Sequence, residues 1–173
     1  MPHRSDIRVS WADFVRLIEK LACIVRDNGW KPDMIVCIPK GGCLPGDILC
    51  RLFKVPIGYL PGESYPGSAR RRTKGNVVFP RHLATTARKM GSRILLVDDL
   101  DETGRTLNEA KQWLLDTYPG VEVRTAVLWH KTRSRHRPNF TAQVVKPFRK
   151  GKWPWIVQPF ERYENDEIEL NKL

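Results

Sequence analysis

Two adjacent carboxylates, followed by a turn that carries hydroxyl groups, lie where an apolar stretch of the sequence ends. The stretch is residues 93–97, the carboxylates are Asp98 and Asp99, and the turn is residues 102–106. The turn contains a glycine, which allows other groups to approach the backbone closely. If a helix begins at this turn, its first backbone N–H groups form a phosphate-binding site. Because carboxylates can bind the hydroxyl groups of a sugar, the segment predicts a site for a sugar phosphate.

Predicted strands and helices alternate around this segment. Short apolar runs predict strands at residues 34–38, 55–60, 93–97, 121–129 and 141–146, and periodicity and end residues predict helices at 11–27, 45–53, 81–90 and 106–118. Strands that are apolar throughout are typical of a parallel sheet covered on both faces. We therefore expect a single α/β domain over residues 1–173, with a mostly parallel central sheet and helices on both faces. Ligands of such sheets bind beyond the carboxyl ends of the strands.

Residues 98–106 resemble the phosphoribosyl-pyrophosphate-binding motif of the type I phosphoribosyltransferases. Residues 39–42 look like that family's pyrophosphate-binding loop, and residues 61–80 lie where the family has its flexible catalytic loop. Residues 155–160 are similar to the base-binding segment of bacterial xanthine–guanine phosphoribosyltransferases. The resemblance covers residues 10–162, and it implies the type I phosphoribosyltransferase fold with a small base-binding hood at residues 147–162.

The resemblance implies a role for each residue of these motifs. Asp98 and Asp99 would bind the ribose hydroxyls and help to position Mg²⁺, directly or through water. The other implied contacts are Thr103, Gly104, Arg105 and Thr106 for the ribose phosphate, Lys40 and Gly41 for the pyrophosphate, and Lys131, Trp155 and Ile156 for the base.

The acid/base carboxylate of the family, which faces N7 of the purine, falls at Glu102. The family most often has aspartate at that position, and glutamate is one methylene longer. Asp101, next to it, is an additional carboxylate. Either Glu102 or Asp101 could therefore be the catalytic acid/base group, and both stay candidates at this point.

The implied acceptor is a purine base that carries an oxygen at position 6. Lys131 can donate a hydrogen bond to that oxygen but cannot accept one from the amino group of adenine. Trp155 could stack on the planar base. The predicted reaction is the Mg²⁺-dependent transfer of a phosphoribosyl group from phosphoribosyl pyrophosphate to guanine, xanthine or hypoxanthine, in purine salvage. The resemblance also implies a homodimer or a larger homo-oligomer.

A net charge of +11 leaves a second function open. Basic clusters at residues 70–74, 133–137 and 149–152 could bind RNA or DNA, as in a regulator that senses phosphoribosyl pyrophosphate on the same fold. The same charge could instead serve a highly anionic substrate. A transferase with another acceptor, such as orotate, is a third alternative, against which Trp155 argues. Neither GxxxxGK(S/T) nor GxGxxG follows a predicted strand, which disfavours nucleotide binding of those two types.

We expect a cytoplasmic location. Residues 1–10 are polar, and no stretch is apolar and long enough to cross a bilayer. The four cysteines have no CxxC spacing, so we expect free thiols, buried at Cys23 and Cys37. His130 and His136 have no carboxylate or cysteine at ligand spacing, so we expect no metal site at either.

Overall fold

The computed structural model describes residues 6–64, 77–149 and 151–163. Within these residues the helices and strands alternate along most of the chain. In chain order they are β1 (Ile7–Arg8), α1 (Trp11–Asp27), β2 (Met34–Cys37), α2 (Cys43–Phe53), β3 (Ile57–Tyr59), β4 (Glu63–Ser64), β5 (Val77–Val78), β6 (Ala84–Thr85), β7 (Arg93–Asp101), α3 (Arg105–Thr117), β8 (Glu122–Lys131), β9 (Phe140–Val145), β10 (Ile156–Val157) and a 3₁₀ helix at Glu161–Tyr163.

Six of the strands form a central sheet in the order β6-β3-β2-β7-β8-β9. All neighbouring pairs are parallel except β3 and β6 at one edge. The chain passes from β2 to β3 on one side of β2 and later returns as β7 on its other side. The connections thus diverge between β2 and β7, and ligands of open α/β sheets bind beyond the strand ends at such a point.

Helices cover both faces of this sheet. On one face α1 and α2 bury side chains such as Phe14 and Leu49 in a cluster that also contains Trp129. On the other face α3 buries Leu107 and Leu114 against residues of β2, β7 and β8. The predicted fold class, a mostly parallel α/β sheet with helices on both faces, is confirmed.

The first helix begins where its sequence indicates. The Ser10 side chain accepts a hydrogen bond from the backbone N–H of Asp13 at 3.1 Å, as expected of an N-cap residue. The predicted helix at residues 81–90 is wrong, because this segment contributes β6 to the edge of the sheet. Its two threonines disfavour a helix, and the Thr85 hydroxyl and Thr86 N–H both donate to the carbonyl of Ile57, at 2.9 and 3.1 Å.

Two strands are longer than predicted. β7 continues through Asp98 and Asp99 as far as Asp101, and β8 continues to Lys131. Cross-strand pairing explains both extensions, because Asp101 pairs with His130 and β8 also pairs with β9 up to Lys131. Polar residues that follow the predicted apolar runs therefore lie in the sheet.

The hood, residues 147–162 with residue 150 outside the description, is attached to the start of the chain. β10 pairs in parallel with β1, and the Ile7 N–H donates to the carbonyl of Trp155 at 2.8 Å. The Phe160 ring contacts the Phe14 ring of α1 edge-on, with centroids 5.7 Å apart. The hood is therefore fixed beside the carboxyl ends of the strands.

Most of the predicted catalytic loop, residues 65–76, lies outside the described residues. The described ends of this segment, β4 and β5, pair with each other in antiparallel fashion. All four cysteines are free as expected, but Cys23 is exposed rather than buried, because it faces outward on α1. No helix in the described part of the chain is long and apolar enough to span a membrane.

Candidate active site

A cavity of about 590 Å³ opens at the carboxyl ends of β2 and β7, where the connections of the sheet diverge. The loop after β2, the end of β7, the start of α3 and the hood all contribute to its wall. Every predicted site residue except Lys131 lines it. The lining residues are Lys40, Gly41, Asp98, Asp99, Leu100, Asp101, Glu102, Thr103, Gly104, Arg105, Thr106, Leu107, Trp155, Ile156, Gln158, Phe160 and Glu161.

Asp98 and Asp99 form an anionic centre at the end of β7. Burial is the main cause that raises the pKa of Asp98 well above its usual range, and the neighbouring Asp99 carboxylate raises it further. Asp99 faces the loop after β2 so closely that a Cβ atom on Gly41 would overlap its carboxylate. Gly41 is therefore required for the close approach of the two strand ends. Such crowded carboxylates favour a ligand that brings positive charge or hydroxyl donors.

The turn after β7 leads directly into α3. Gly104 has φ +81° and precedes the first helical residue, Arg105, and it offers no side chain to cap the first N–H groups. The N-terminus of α3, with the hydroxyl-bearing Thr103 and Thr106 on either side of Gly104, lines the cavity. Backbone N–H groups at a helix N-terminus bind phosphate well. The Arg105 side chain pairs with Glu109 along α3, with Nε 2.7 Å from Oε1.

Glu102 is held between two cations. Its Oε1 accepts a hydrogen bond from Lys131 Nζ at 2.7 Å and another from Arg133. Partial burial acts to raise the pKa of Glu102, but the hydrogen bond and charge of Lys131, with Arg133, outweigh it and lower the pKa. The Lys131 side chain is only 2 % exposed and does not line the cavity, but it contacts Glu102, which does.

Asp101 lines the same cavity but is almost fully buried, and each of its carboxylate oxygens has a hydrogen-bond partner. Its Oδ2 lies 2.7 Å from Nδ1 of His130, and its Oδ1 accepts a hydrogen bond from the Ser134 hydroxyl at 2.9 Å. The Asp101 side chain is 1 % exposed. The two predicted acid/base candidates thus occupy different surroundings, with Glu102 the more open.

The hood supplies an aromatic ring at the edge of the cavity. Trp155 is 56 % exposed, and Lys131 Nζ lies 5.8 Å from the centre of its ring. Glu161 orients this part of the hood, because its carboxylate accepts hydrogen bonds from Trp155 Nε1 at 3.3 Å and from the Gln158 N–H at 3.0 Å. The Gln158 side chain donates to Asp99 and so joins the hood to the anionic centre.

Several residues of the site were not foreseen in the sequence. Gln158 and Glu161 follow Trp155 within three to six positions, so their polar side chains in an aromatic segment could have been noticed. Arg133 and Ser134 were noted only as part of the basic cluster at residues 133–137. Their contacts join residues about 30 positions apart, across two strands, and no local pattern reports such contacts.

The carboxylates of the cavity fit a magnesium ion that takes its other ligands from water and substrate phosphates. Among residues 6–64, 77–149 and 151–163, no group of three or more metal-binding side chains occurs. Asp98 and Asp99 are a pair of crowded carboxylates, and Mg²⁺ commonly binds through one or two carboxylates while water and substrate phosphates complete its shell.

A domain family matches nearly the whole chain. Residues 9–165 match the phosphoribosyl transferase domain. The chain therefore belongs to this family and is a phosphoribosyltransferase.

Solved structures with low sequence identity share the fold. A xanthine–guanine–hypoxanthine phosphoribosyltransferase of Helicobacter pylori is similar with a TM-score of 0.72 and 19% identity, over 97% of this chain and 99% of that one. A purine phosphoribosyltransferase of Pyrococcus horikoshii gives 0.66 and 21%, over 90% and 93%. An orotate phosphoribosyltransferase of Aeropyrum pernix gives 0.59 and 14%, over 78% and 73%. At these identities the similarity establishes the fold and leaves the acceptor open.

Proposed function

We propose that the protein transfers the phosphoribosyl group from phosphoribosyl pyrophosphate to a 6-oxopurine, namely guanine, xanthine or hypoxanthine. The observation that carries this proposal is the arrangement of Glu102, Lys131 and Trp155. The Lys131 ammonium group lies 2.7 Å from the Glu102 carboxylate and 5.8 Å from the centre of the Trp155 ring. A planar base stacked on Trp155 would lie beside the Glu102 carboxylate of the cavity wall, with the Lys131 donor next to that carboxylate.

Glu102 is the proposed acid/base group. Like other glutamates it is ionised near neutral pH, and Lys131 and Arg133, which lower its pKa, stabilise the ionised form that accepts the proton. When the purine N9 attacks C1 of the ribose, the C1–oxygen bond to pyrophosphate breaks and the proton on N7 passes to Glu102. Lys131 donates to the oxygen at position 6, an interaction that adenine cannot make because it carries an amino group there.

The remaining cavity residues suit the phosphoribosyl donor. Asp98 and Asp99 would bind the ribose hydroxyls, and the turn of Thr103 to Thr106 would bind the 5′-phosphate through N–H and hydroxyl groups. Lys40 and the backbone around Gly41 would bind the pyrophosphate and stabilise its charge as it leaves. Ile156, which follows Trp155, would present main-chain groups to the edge of the base.

Phosphoribosyltransferases generally use Mg²⁺ together with phosphoribosyl pyrophosphate. Here Asp98 and Asp99 are the residues that would hold it, directly or through water. A bound Mg²⁺ would neutralise charge on the leaving pyrophosphate.

The proposal is tested by the acceptor profile. The protein is mixed with phosphoribosyl pyrophosphate, Mg²⁺ and, in turn, guanine, xanthine, hypoxanthine, adenine and orotate, and nucleotide formation is followed. We expect product with at least one 6-oxopurine, none with adenine, and loss of product in Asp99→Asn. Turnover with orotate alone, or no turnover with any base while phosphoribosyl pyrophosphate binds, would contradict the proposal.

A homodimer or a larger homo-oligomer accompanies this proposal, on the strength of the family resemblance. The edge strand β9 and the start of the hood expose Val144 and Phe148, 53 % and 48 % accessible, which gives such an assembly an apolar surface to use. Light scattering of the purified protein tests this, and a monomer at assay concentrations would contradict it.

A further inference from the structure

The loop after β8, residues 132–137, packs against the turn that we assign to the 5′-phosphate. The Arg135 N–H donates to the carbonyl of Thr103 at 3.4 Å. Gly104 lies so close to this loop that a Cβ atom would come within 2.5 Å of the His136 backbone nitrogen and 2.7 Å of the Ser134 hydroxyl. The two segments therefore touch at consecutive positions of the turn.

Ser134 is the centre of these contacts. Its hydroxyl donates to Asp101 Oδ1 at 2.9 Å and accepts a hydrogen bond from the His136 N–H at 3.1 Å. Ser134 is 6 % exposed, so these bonds are shielded from water. The Asp101 carboxylate is also bonded to His130 of β8 at 2.7 Å. The Ser134 hydroxyl thus connects the end of β7 to the loop after β8.

His136 extends the same network to α3. Its Nδ1 lies 2.5 Å from Oδ1 of Asn108, which is on the first turn of α3. Its Nε2 lies 2.9 Å from the Thr125 hydroxyl on β8. The turn is consequently held at its start through Asp101 and at its end through Asn108, with Ser134 and His136 between the two attachments.

We propose that Ser134 is a positioning residue for the 5′-phosphate of the donor, with Asp101 as its anchor. This inference rests on the proposed function, which assigns the turn to that phosphate. Backbone N–H groups bind a phosphate tightly only if the turn already has the bound geometry, because ordering the turn during binding opposes affinity. The loop after β8 keeps the turn in that geometry without touching the ligand.

The test compares two anionic probes that address the two ends of the donor. Ribose 5-phosphate reports on the turn, and inorganic pyrophosphate reports on Lys40 and Gly41. Affinities are measured by calorimetric titration with Mg²⁺ for the wild type, for Ser134→Ala and for Ser92→Ala. Ser92 is a matched control, because its hydroxyl donates to Asp33 at 2.7 Å at the start of β7, the opposite end of that strand from the cavity.

We expect Ser134→Ala to bind ribose 5-phosphate roughly two- to tenfold more weakly, the usual effect of one lost hydrogen bond. Its affinity for pyrophosphate should stay within twofold of wild type, and Ser92→Ala should bind both probes normally. In turnover, Ser134→Ala should raise the KM for phosphoribosyl pyrophosphate more than it lowers kcat. Asn108→Ala, which changes an exposed side chain, should also weaken ribose 5-phosphate binding and leave pyrophosphate binding normal. If Ser134→Ala does not fold, Asn108→Ala tests the positioning role in its place.

Equal weakening of both probes would indicate general destabilisation and would overturn the positioning role. An unchanged affinity of both variants for ribose 5-phosphate would overturn it as well. Binding of neither probe by the wild type is a separate outcome, since it would overturn the assignment of the cavity to phosphoribosyl pyrophosphate and this inference with it.

Discussion

Asp101 and Glu102 are adjacent in sequence, but their carboxylates have different partners. Asp101 is the last residue of β7, and its side chain is enclosed by His130 and Ser134. Glu102 begins the turn and meets Lys131 and Arg133 beside the cavity. The sequence left both as candidates for the acid/base group, and these surroundings favour Glu102, because a buried carboxylate with both oxygens hydrogen-bonded has little access to a base.

The first prediction concerns Glu102→Gln, which keeps the shape of the side chain but cannot accept a proton. We expect kcat to fall by about 10²–10⁴-fold, the range that general acid–base groups contribute. Steady-state kinetics at saturating base and donor measure this change. Circular dichroism should accompany it, because Lys131 loses its carboxylate partner in the variant.

Asp101→Asn is the matched comparison. An asparagine there can still accept from Ser134, and His130 can accept from its amide by changing tautomer. We expect kcat within about tenfold of wild type, since one exchanged hydrogen bond of this kind is worth about 0.5–1.5 kcal/mol. If Asp101→Asn lost activity and Glu102→Gln kept it, the assignment of the acid/base role would be reversed.

A second prediction at this scale concerns Trp155. Stacking of a base on an aromatic side chain contributes about 1–3 kcal/mol, so Trp155→Ala should raise the KM of the base roughly five- to 150-fold. Trp155→Phe should retain most of the affinity. The control is Trp11→Ala, since Trp11 is 43 % exposed at the start of α1. Equal KM values for wild type and Trp155→Ala would rule out stacking at this residue.

At the scale of elements, the pattern of apolar residues predicted those strands and helices whose side chains are buried in the core. β2 and residues 94–97 of β7 are apolar at every position because both faces of the central sheet are covered by helices. The Asp-Asp segment and the turn after it were recognisable because the chemistry lies in consecutive residues. The same reasoning predicted α1 from its capping residue and its spacing.

The rest could not be predicted from local sequence, because it depends on pairing between distant residues. β6 is an edge strand of two residues, and its strand conformation comes from hydrogen bonds to Ile57. Lys131 is polar, yet it is the final residue of a buried strand because β9 pairs beside it. His130 and His136 were considered only as metal ligands, whereas the structure gives them partners from β7, β8 and α3.

The third prediction concerns the loop after β8 and the pH dependence of stability. Burial lowers the pKa of His136, an effect that Lys111 and His130 reinforce and Asp101 opposes. In the unfolded chain a histidine binds a proton below about pH 6.5, whereas in the folded protein His136 binds it only at lower pH. The free energy of unfolding should therefore fall as the pH drops below about 6.5, until the lower folded-state pKa is reached.

Urea unfolding at pH 7.5 and pH 5.5 measures this dependence. In His136→Asn the difference in unfolding free energy between the two pH values should be smaller than in wild type. His82→Asn, which changes an exposed histidine, should leave the difference unaltered. A His136→Asn variant with the full pH dependence would show that another group is responsible.

At the scale of the whole molecule, a net charge of +11 surrounds a site with carboxylates at its centre. Part of the basic cluster at 133–137 makes contacts within the protein. Arg133 pairs with Glu102, and its guanidinium group lies 5.5 Å from the centre of the Trp153 ring. The cluster at 70–74 lies outside the described residues. The charge therefore has two candidate uses, attraction of a polyanionic small substrate and binding of a nucleic acid.

The fourth prediction separates these uses by ionic strength. Phosphoribosyl pyrophosphate is highly anionic, and a positive protein field accelerates its encounter at low salt, where the Debye length is about 30 Å at 0.01 M compared with about 10 Å at 0.1 M. We expect kcat/KM for phosphoribosyl pyrophosphate to fall by about tenfold over this range, as for electrostatically steered association. The KM for the uncharged base and kcat should change little, because neither depends on attracting an anion from solution. If kcat/KM were independent of salt while a single-stranded RNA bound at 0.15 M with a steep logarithmic salt slope, the charge would serve a nucleic acid, and the regulatory alternative would replace substrate attraction as its explanation.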